Sequence, residues 1–412
     1  MSHGEAKRAL LAWEFGAGRS HARHLLGVAG HLKRAGVDCL AALYEPSFAH
    51  EFAAIGVPAV QTYVWPARRR APFGWSERPV RALGDVLANI GFASARDLTA
   101  ALAHYDGLFE IFRPDVVLAE NAFGALLAAR GRLPSIAFGT QSTLPPTNGN
   151  GFTPRRAMGF ETPSFDEAAL CAAIDLTLER TGRPALGRLS AILDETNVLP
   201  FGPAAFSLHG TPDDRRILPP FLPDFVAPPE GGRGEEVFAY LNSLGASAED
   251  VLNGIAGSER PVRLHLGGQA RAIVEAMPGE VRQRLVSRGV VLEAAPVPLP
   301  AILERSRCVL HHGGVQMTSA CLAAGLPQVI LPKEEENMRT GSFVAERRLG
   351  FSRPLHEADA GWVARSIRRA FDDADMASRC RAGRPDFAAW VAEDPTETVA
   401  REAQRAIGAR DT

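Results

Sequence analysis

The sequence predicts an α/β protein built from two parallel sheets, each covered by helices. Three observations point there. Apolar strand-like runs alternate with helical patterns from the start of the chain. The alternation breaks at a stretch dense in proline and glycine, residues 217–236, and then resumes. Finally, 412 residues exceed one ordinary core and suit two domains of roughly 200 residues each.

Taken in order, "RALLAWEF" (8–15) reads as a strand and "GAGRSH" (16–21) as a turn. A helix follows through "HARHLLGVAGHLKRAG" (21–36), then "VDCLAALY" (37–44) as the next strand. "PDVVLAE" (114–120) is a strand ending in an acid, "GALLAARGR" (124–132) a helix and "PSIAFG" (134–139) a strand. Residues 65–112 and 147–200 fit the rhythm less well. The first includes "WPARRRAPFGWSERP" (65–79), read as a loop facing an acceptor molecule, with a solvated surface insertion as the alternative. The stretch "ILPPFLPDFVAPPEGGRGEE" (217–236) is the linker candidate, because its prolines stiffen an extended path and its glycines support no core element. Beyond it the pattern returns: strand "EEVFAYLNS", helix near "AEDVLNGIAG", strand "PVRLHLGG", one helix "AIVEAMPGEVRQRLV", strand "GVVLEAAPV" and short helix "LPAILERS".

Composition narrows the function classes. Net charge is −2, from 45 basic and 47 acidic residues, so no bulk attraction to nucleic acid or anionic membrane is expected and the partner is expected to be a small molecule. The five cysteines (Cys39, Cys171, Cys308, Cys321, Cys380) are an odd count without a CxxC pair and read as reduced, buried thiols of a cytoplasmic protein. There is no run of eighteen apolar residues, and the first fifteen residues hold too short an apolar stretch for a signal peptide.

The chemistry concentrates in "VLHHGGVQMTSACLAAGLPQVILPKEEEN" (309–337). It reads as strand, Gly-rich turn, helix from Thr318 to Ala324 stopped by Gly325 and Pro327, and a second strand Gln328–Leu331. A Gly-rich turn between strand and helix is where parallel sheets bind anions, through unpaired amides and the helix dipole. It also occurs as a plain turn. His311 and His312 are adjacent on a strand, point to opposite faces and do not readily share a metal ion, so none is expected.

These motifs resemble the donor-binding region of the GT-B nucleotide-sugar glycosyltransferases, in the small-molecule type of bacteria. The resemblance rests on His311-His312-Gly313-Gly314, Thr318, Ala324-Gly325-Leu326-Pro327-Gln328-Val329, Pro332 and Glu336-Asn337, and extends to "GAGRSH", "PDVVLAENAFGALLAAR", "AYLNS" and "LHLGG". It implies two Rossmann-like domains facing across a cleft. Residues 1–220 would bind the acceptor, 221–236 would link, 237–385 would bind a UDP or dTDP type sugar, and a helix in 386–412 would cross back to the first domain. It further implies His21 as general base with Glu120 behind it, and Gly18 and His24 near the acceptor, His24 being a rival base one helical turn on. For the donor it implies Ser243, Gly268, Val297, His312, Gly313, Gly314, Val315, Gln316, Met317 and Thr318 around nucleobase and phosphates, and Glu336 with Asn337 on the sugar hydroxyls. Gln316-Met317 stand where the family usually has Gly-Thr or Asn-Ser, so a phosphate-binding hydroxyl is missing, which Thr318 and backbone amides would replace. No lysine is evident for the departing phosphate, and Lys333, Glu334 and Glu335 read as surface.

The expected reaction is hexose transfer from a nucleoside diphosphate sugar to a small-molecule hydroxyl, with inversion and without metal or cofactor. A histidine suits base catalysis near neutral pH, and a carboxylate behind it fixes its tautomer. The alternatives are a nucleotide-sugar epimerase on the same fold and a catalytically inert nucleotide-sugar binding protein.

Overall fold

The computed structural model describes residues 6–16, 19–66, 80–149, 151–210, 216–228 and 234–409. They form two compact units. One comprises the chain up to Ala204, Leu208–Leu218 and the chain from Pro395; the other comprises Ala205–Ser207 and Pro219–Asp394.

The first unit holds a six-stranded sheet in the order β3-β2-β1-β4-β5-β6, with β1 Arg8–Ala12, β2 Asp38–Leu43, β3 Ala59–Gln61, β4 Val116–Glu120, β5 Ser135–Thr140 and β6 Thr196–Phe201. All neighbouring pairs are parallel. Strands buried on both faces need continuous apolar runs, and "RALLA" shows the consequence: Leu10 and Ala12 enter the core on one face, Ala9, Leu11 and Trp13 the core on the other. The second face is closed by the helix Arg19–Arg34, through Leu25, Val28 and Leu32, and by the helix Pro395–Gly408, through Val399, Ala400, Ala403 and Ile407. Both sets recur every three or four residues, which places them on one helical stripe.

The second unit repeats the plan, with β7 Glu236–Leu241, β8 Val262–Leu266, β9 Val291–Glu293, β10 Ser306–His311, β11 Gln328–Ile330 and β12 Gly350–Ser352 in the order β12-β11-β10-β7-β8-β9. Both orders are the doubly wound arrangement, whose switch point lies where the strand order reverses, between β1 and β4 and between β7 and β10, and ligands bind outside the carboxyl ends there.

Several elements differ from the sequence reading. β6 begins within 147–200 and ends at Phe201, and residues 83–112 hold two helices, Leu83–Ile90 and Ala95–Phe112. The expected single helix 272–286 is two, Gly268–Ala276 and Gly279–Ser287, because Pro278 cannot donate within a helix. Leu222 and Phe225 of the proline-rich stretch pack against Leu303, Ala320 and Ala324 of the second unit. The loop expected to face an acceptor lies, over residues 67–79, outside the described residues, as does Gly18.

Candidate active site

At the first switch point two strand ends meet. β1 runs on through Trp13, Glu14, Phe15 and Gly16, and His21 stands in the first turn of the helix Arg19–Arg34. Glu120 is the last residue of β4 and is wholly buried. Its Oε2 lies 2.7 Å from His21 Nδ1 and its Oε1 lies 3.2 Å from His24 Nδ1. His21 and His24 are three apart and therefore share one helix face, so one carboxylate spans both rings. Burial by itself raises the Glu120 pKa, but the His21 charge and hydrogen bond, then those of His24, outweigh it and hold the group down to about 2. An ionised carboxylate only accepts, so each ring turns an Nδ1–H toward Glu120.

The surroundings fix the His21 ring. It stacks on Trp13 with centroids 5.3 Å apart, and its side chain is 13 % exposed against 3 % for His24. Gly16, at φ +94°, lies against the imidazole; a Cβ there would stand 2.5 Å from Nε2. Only glycine combines that backbone angle with that approach. Asn121, which follows Glu120, donates from Nδ2 to the Phe15 carbonyl at 2.7 Å and ties the two strand ends together.

A second buried carboxylate at this edge went unmarked in the sequence. Glu14 accepts from the amides of Gly124 (3.0 Å) and Ala125 (2.7 Å) at the start of the helix Phe123–Ala129, and from the Trp65 indole at 3.2 Å. Burial pushes its pKa up. It anchors the ends of β1 and β4 rather than fronting His21. The signal was an acid directly after an apolar strand, the same signal that marked Glu120.

The second switch point is built differently. His311 is buried at the end of β10; its Nε2 pairs with Gln328 Oε1 at 2.9 Å and its Nδ1 accepts from the Gly313 amide at 3.0 Å. Burial lowers its pKa to about 4, so it is a neutral tie that shapes the turn. His312 Nδ1 donates to the Leu331 carbonyl at 2.9 Å, and its Nε2 accepts from the Ser243 amide at 3.3 Å. Burial lowers the His312 pKa too. A neutral ring so bonded has no N–H left for a phosphate.

The two glycines then divide. Gly313 sits at φ +85°, and a Cβ would come within 2.9 Å of Ile330, Thr340 and the Asn337 carbonyl; the fold requires glycine there. At Gly314 a Cβ would meet nothing within 4 Å, and its φ of −59° suits any residue. Nothing in the protein requires glycine at 314.

Val315, Gln316 and Met317 open the helix Val315–Ala324, where helix geometry supplies no acceptor for the first amides. Met317 and Val297 both pack on a small cluster around Phe238, Ile302, Val309 and Cys321. Thr318 corrects the expectation that its hydroxyl would replace the missing one. It is fully buried and its amide bonds to Gly314 O at 3.0 Å, because a further step of the helix turns it inward. Gly268 begins the helix after β8 at φ +36°. Glu336 and Asn337 lie half-buried in the first turn of the helix Glu335–Glu346, and the Asn337 carbonyl abuts Gly313. Lys333 is exposed, as read, and its Nζ lies 3.3 Å from Ser243 Oγ.

These two units, each with the doubly wound order and a candidate site at its switch point, give the chain the GT-B fold. Solved structures of that fold include the calicheamicin glycosyltransferase CalG4, 20 % identical with TM-score 0.69 over 98 % of this chain and 99 % of that one. They also include the glycosyltransferase VinC in complex with dTDP, 18 % identical with TM-score 0.64 over 97 % and 99 %. More particularly, residues 249–403 match the family model described as the C-terminal domain of erythromycin biosynthesis protein CIII-like proteins. The NDP-glycosyltransferase YjiC of Bacillus subtilis is 26 % identical over 226 residues, which are 50 % of this chain and 52 % of that protein. The chain spans about half the length, or less, of the curated relatives it matches.

Proposed function

We propose that the protein transfers a hexose from a UDP or dTDP type sugar to a hydroxyl of a small-molecule acceptor, with inversion. The observation that carries this reading is the wholly buried Glu120, 2.7 Å from His21 Nδ1 at a strand end. A carboxylate so placed makes the opposite nitrogen of His21 a base. His21 Nε2 takes the acceptor hydroxyl proton as that oxygen attacks the anomeric carbon. The bond from that carbon to the diphosphate oxygen breaks, its electron pair leaves on the diphosphate, and a single displacement inverts the centre. The amides that follow Gly313, at the start of the helix Val315–Ala324, and the dipole of that helix meet the growing charge without calling on a metal. Glu336 and Asn337 suit sugar hydroxyls, since a carboxylate accepts from two at once and an amide both donates and accepts.

The class is supported by the glycosyltransferase names of the matched relatives and by the dTDP complex of VinC. Five buried, unpaired cysteines accord with work in the cytoplasm. A catalytically inert binding protein would have no use for the Glu120–His21 pair. The test is an assay of UDP and dTDP sugars against an acceptor panel, with the product anomer read by NMR. Glycoside of inverted configuration is expected. Donor binding without any product would return the protein to the inert class.

A further inference from the structure

We propose that Lys333 is the cation that meets the diphosphate of the donor, in place of the hydroxyl lacking at Gln316-Met317; this rests on the donor reading above. Lys333 opens the run "KEEEN", which by composition is a solvated charged face. In the structure its arm folds back over the strand ends, with Nζ 3.3 Å from Ser243 Oγ. Ser243 follows β7, donates its hydroxyl to Gln269 Oε1 at 3.0 Å and gives its amide to His312. Because that hydroxyl proton is committed to Gln269, the oxygen presents its lone pairs to Lys333. Ammonium, hydroxyl and Gly-rich turn are thus held together at the second switch point before any ligand arrives.

Three absences in the same place give the lysine its task. His312, the ring closest to this site, spends both nitrogens on backbone groups. The side chains of Gln316 and Met317 bring no hydroxyl, and that of Thr318 is buried. Backbone amides alone would then face a group whose charge rises as the sugar departs. An ammonium on a flexible stem suits this, being a compact point charge with three donors that binds phosphate without a fixed plane. Its use here is selective: of 45 basic residues only Lys7, Lys33 and Lys333 are lysines, and Lys333 alone lies in the second unit. On binding, Nζ exchanges its bond to Ser243 Oγ for the phosphate oxygens, and Ser243 remains beside it. Glu334, next in the chain, acts against Lys333 in its influence on His312.

Calorimetric titration of wild type, Lys333→Ala, Lys333→Gln and Lys333→Arg with dTDP, UDP and the matching nucleosides, at low and high salt, tests the assignment. Loss of a charged hydrogen bond should weaken diphosphate binding roughly tenfold to a hundredfold in the Ala and Gln variants. Their salt dependence should flatten, nucleoside affinity and melting temperature should not move, and the Arg variant should fall between. Diphosphate affinity and salt slope unchanged in both neutral variants would overturn the role of Lys333 while leaving the donor reading intact. Equal losses for nucleoside and diphosphate would overturn it as well, by making Lys333 a support of the fold. Wild type that binds neither diphosphate would sink the donor reading itself, and this inference with it.

Discussion

The two switch points occupy corresponding places in sheets of the same strand order, yet they are made of opposite materials. At the first, three side chains make the candidate site: Glu120 is sealed in the unit and grips His21 and His24. At the second, the candidate surface is main chain. His311 and His312 turn inward to hold the loop, Gly314 leaves open space, and a single lysine reaches over the edge. A base must be one atom at one position with one tautomer, which only a buried network of side chains can impose. A diphosphate is a large, diffuse anion that amides and a mobile ammonium can surround. It follows that the first edge should fail when atoms are removed and the second when atoms are added.

The largest expected effect is on the first edge. His21→Ala should lower turnover about 10²- to 10⁴-fold while leaving dTDP or UDP affinity within about twofold, as steady-state kinetics beside calorimetry will show. Loss of both together would place His21 in the fold instead. Glu120→Gln keeps the shape and deletes the charge, and a smaller loss of turnover in the same direction is expected. Because the folded-state pKa of Glu120 is depressed to about 2, its contribution to stability is present above its unfolded value near 4.5 and is lost as pH falls toward 2. The stability gap between wild type and Glu120→Gln should close over that acid range in urea melts.

On the second edge, Gly314→Val should cost roughly tenfold or more in diphosphate affinity, a loss typical of one displaced charged contact, with the melting temperature kept. Gly313→Ala should instead destabilise the unit by about 1–3 kcal/mol through its left-handed backbone. If both glycines behave alike, the division between ligand-driven and fold-driven glycine is wrong. Smaller still, Glu336→Ala should weaken the intact nucleotide sugar by roughly 1–3 kcal/mol and spare the free diphosphate; equal losses would show that Glu336 acts elsewhere.

The smallest effect asks whether histidines, and not burial, set the state of Glu120. Glu167 opens the helix Glu167–Arg180, accepts from the Phe152 amide at 3.2 Å, and is pushed up to about 7 by burial, with Asp85 adding to the push. A raised carboxyl pKa gives stability that is full below about 4.5 and falls as pH rises through 7. Glu167→Gln should therefore raise the melting temperature slightly more at pH 8 than at pH 5, a slope opposite to that of Glu120. No difference between the two pH values would remove the contrast.

Much of the first edge was legible because strand ends are. An apolar run closing on an acid, and another closing on Gly and His, must open on the same side of a parallel sheet. What stayed hidden was where side chains turn next. Thr318 looked available until the helical angle took it inside, and the bond from the exposed Lys333 to Ser243 leaves no signal in a run dominated by three glutamates. Glu14 and Glu120 carry the same local signal, an acid after a strand, and only packing sends one to a helix start and the other to a histidine pair. The short strands β3 and β12 have three residues each, too few for a period to register, and β6 hid in a stretch with a poor strand pattern.

The helix Pro395–Gly408 has a consequence for how the chain is made. It covers the stripe of Leu25, Val28 and Leu32 on the helix that carries His21, yet all of Pro219–Asp394 lies between them in the chain. During synthesis at roughly 5–20 residues per second that stripe stays bare on the order of ten seconds or more. The second unit, contiguous apart from three residues, has almost all of its parts before the first unit receives its last one. The first unit, begun earlier, is therefore completed later, and the ribosome delivers a finished second unit while the helix that carries His21 still waits for its cover.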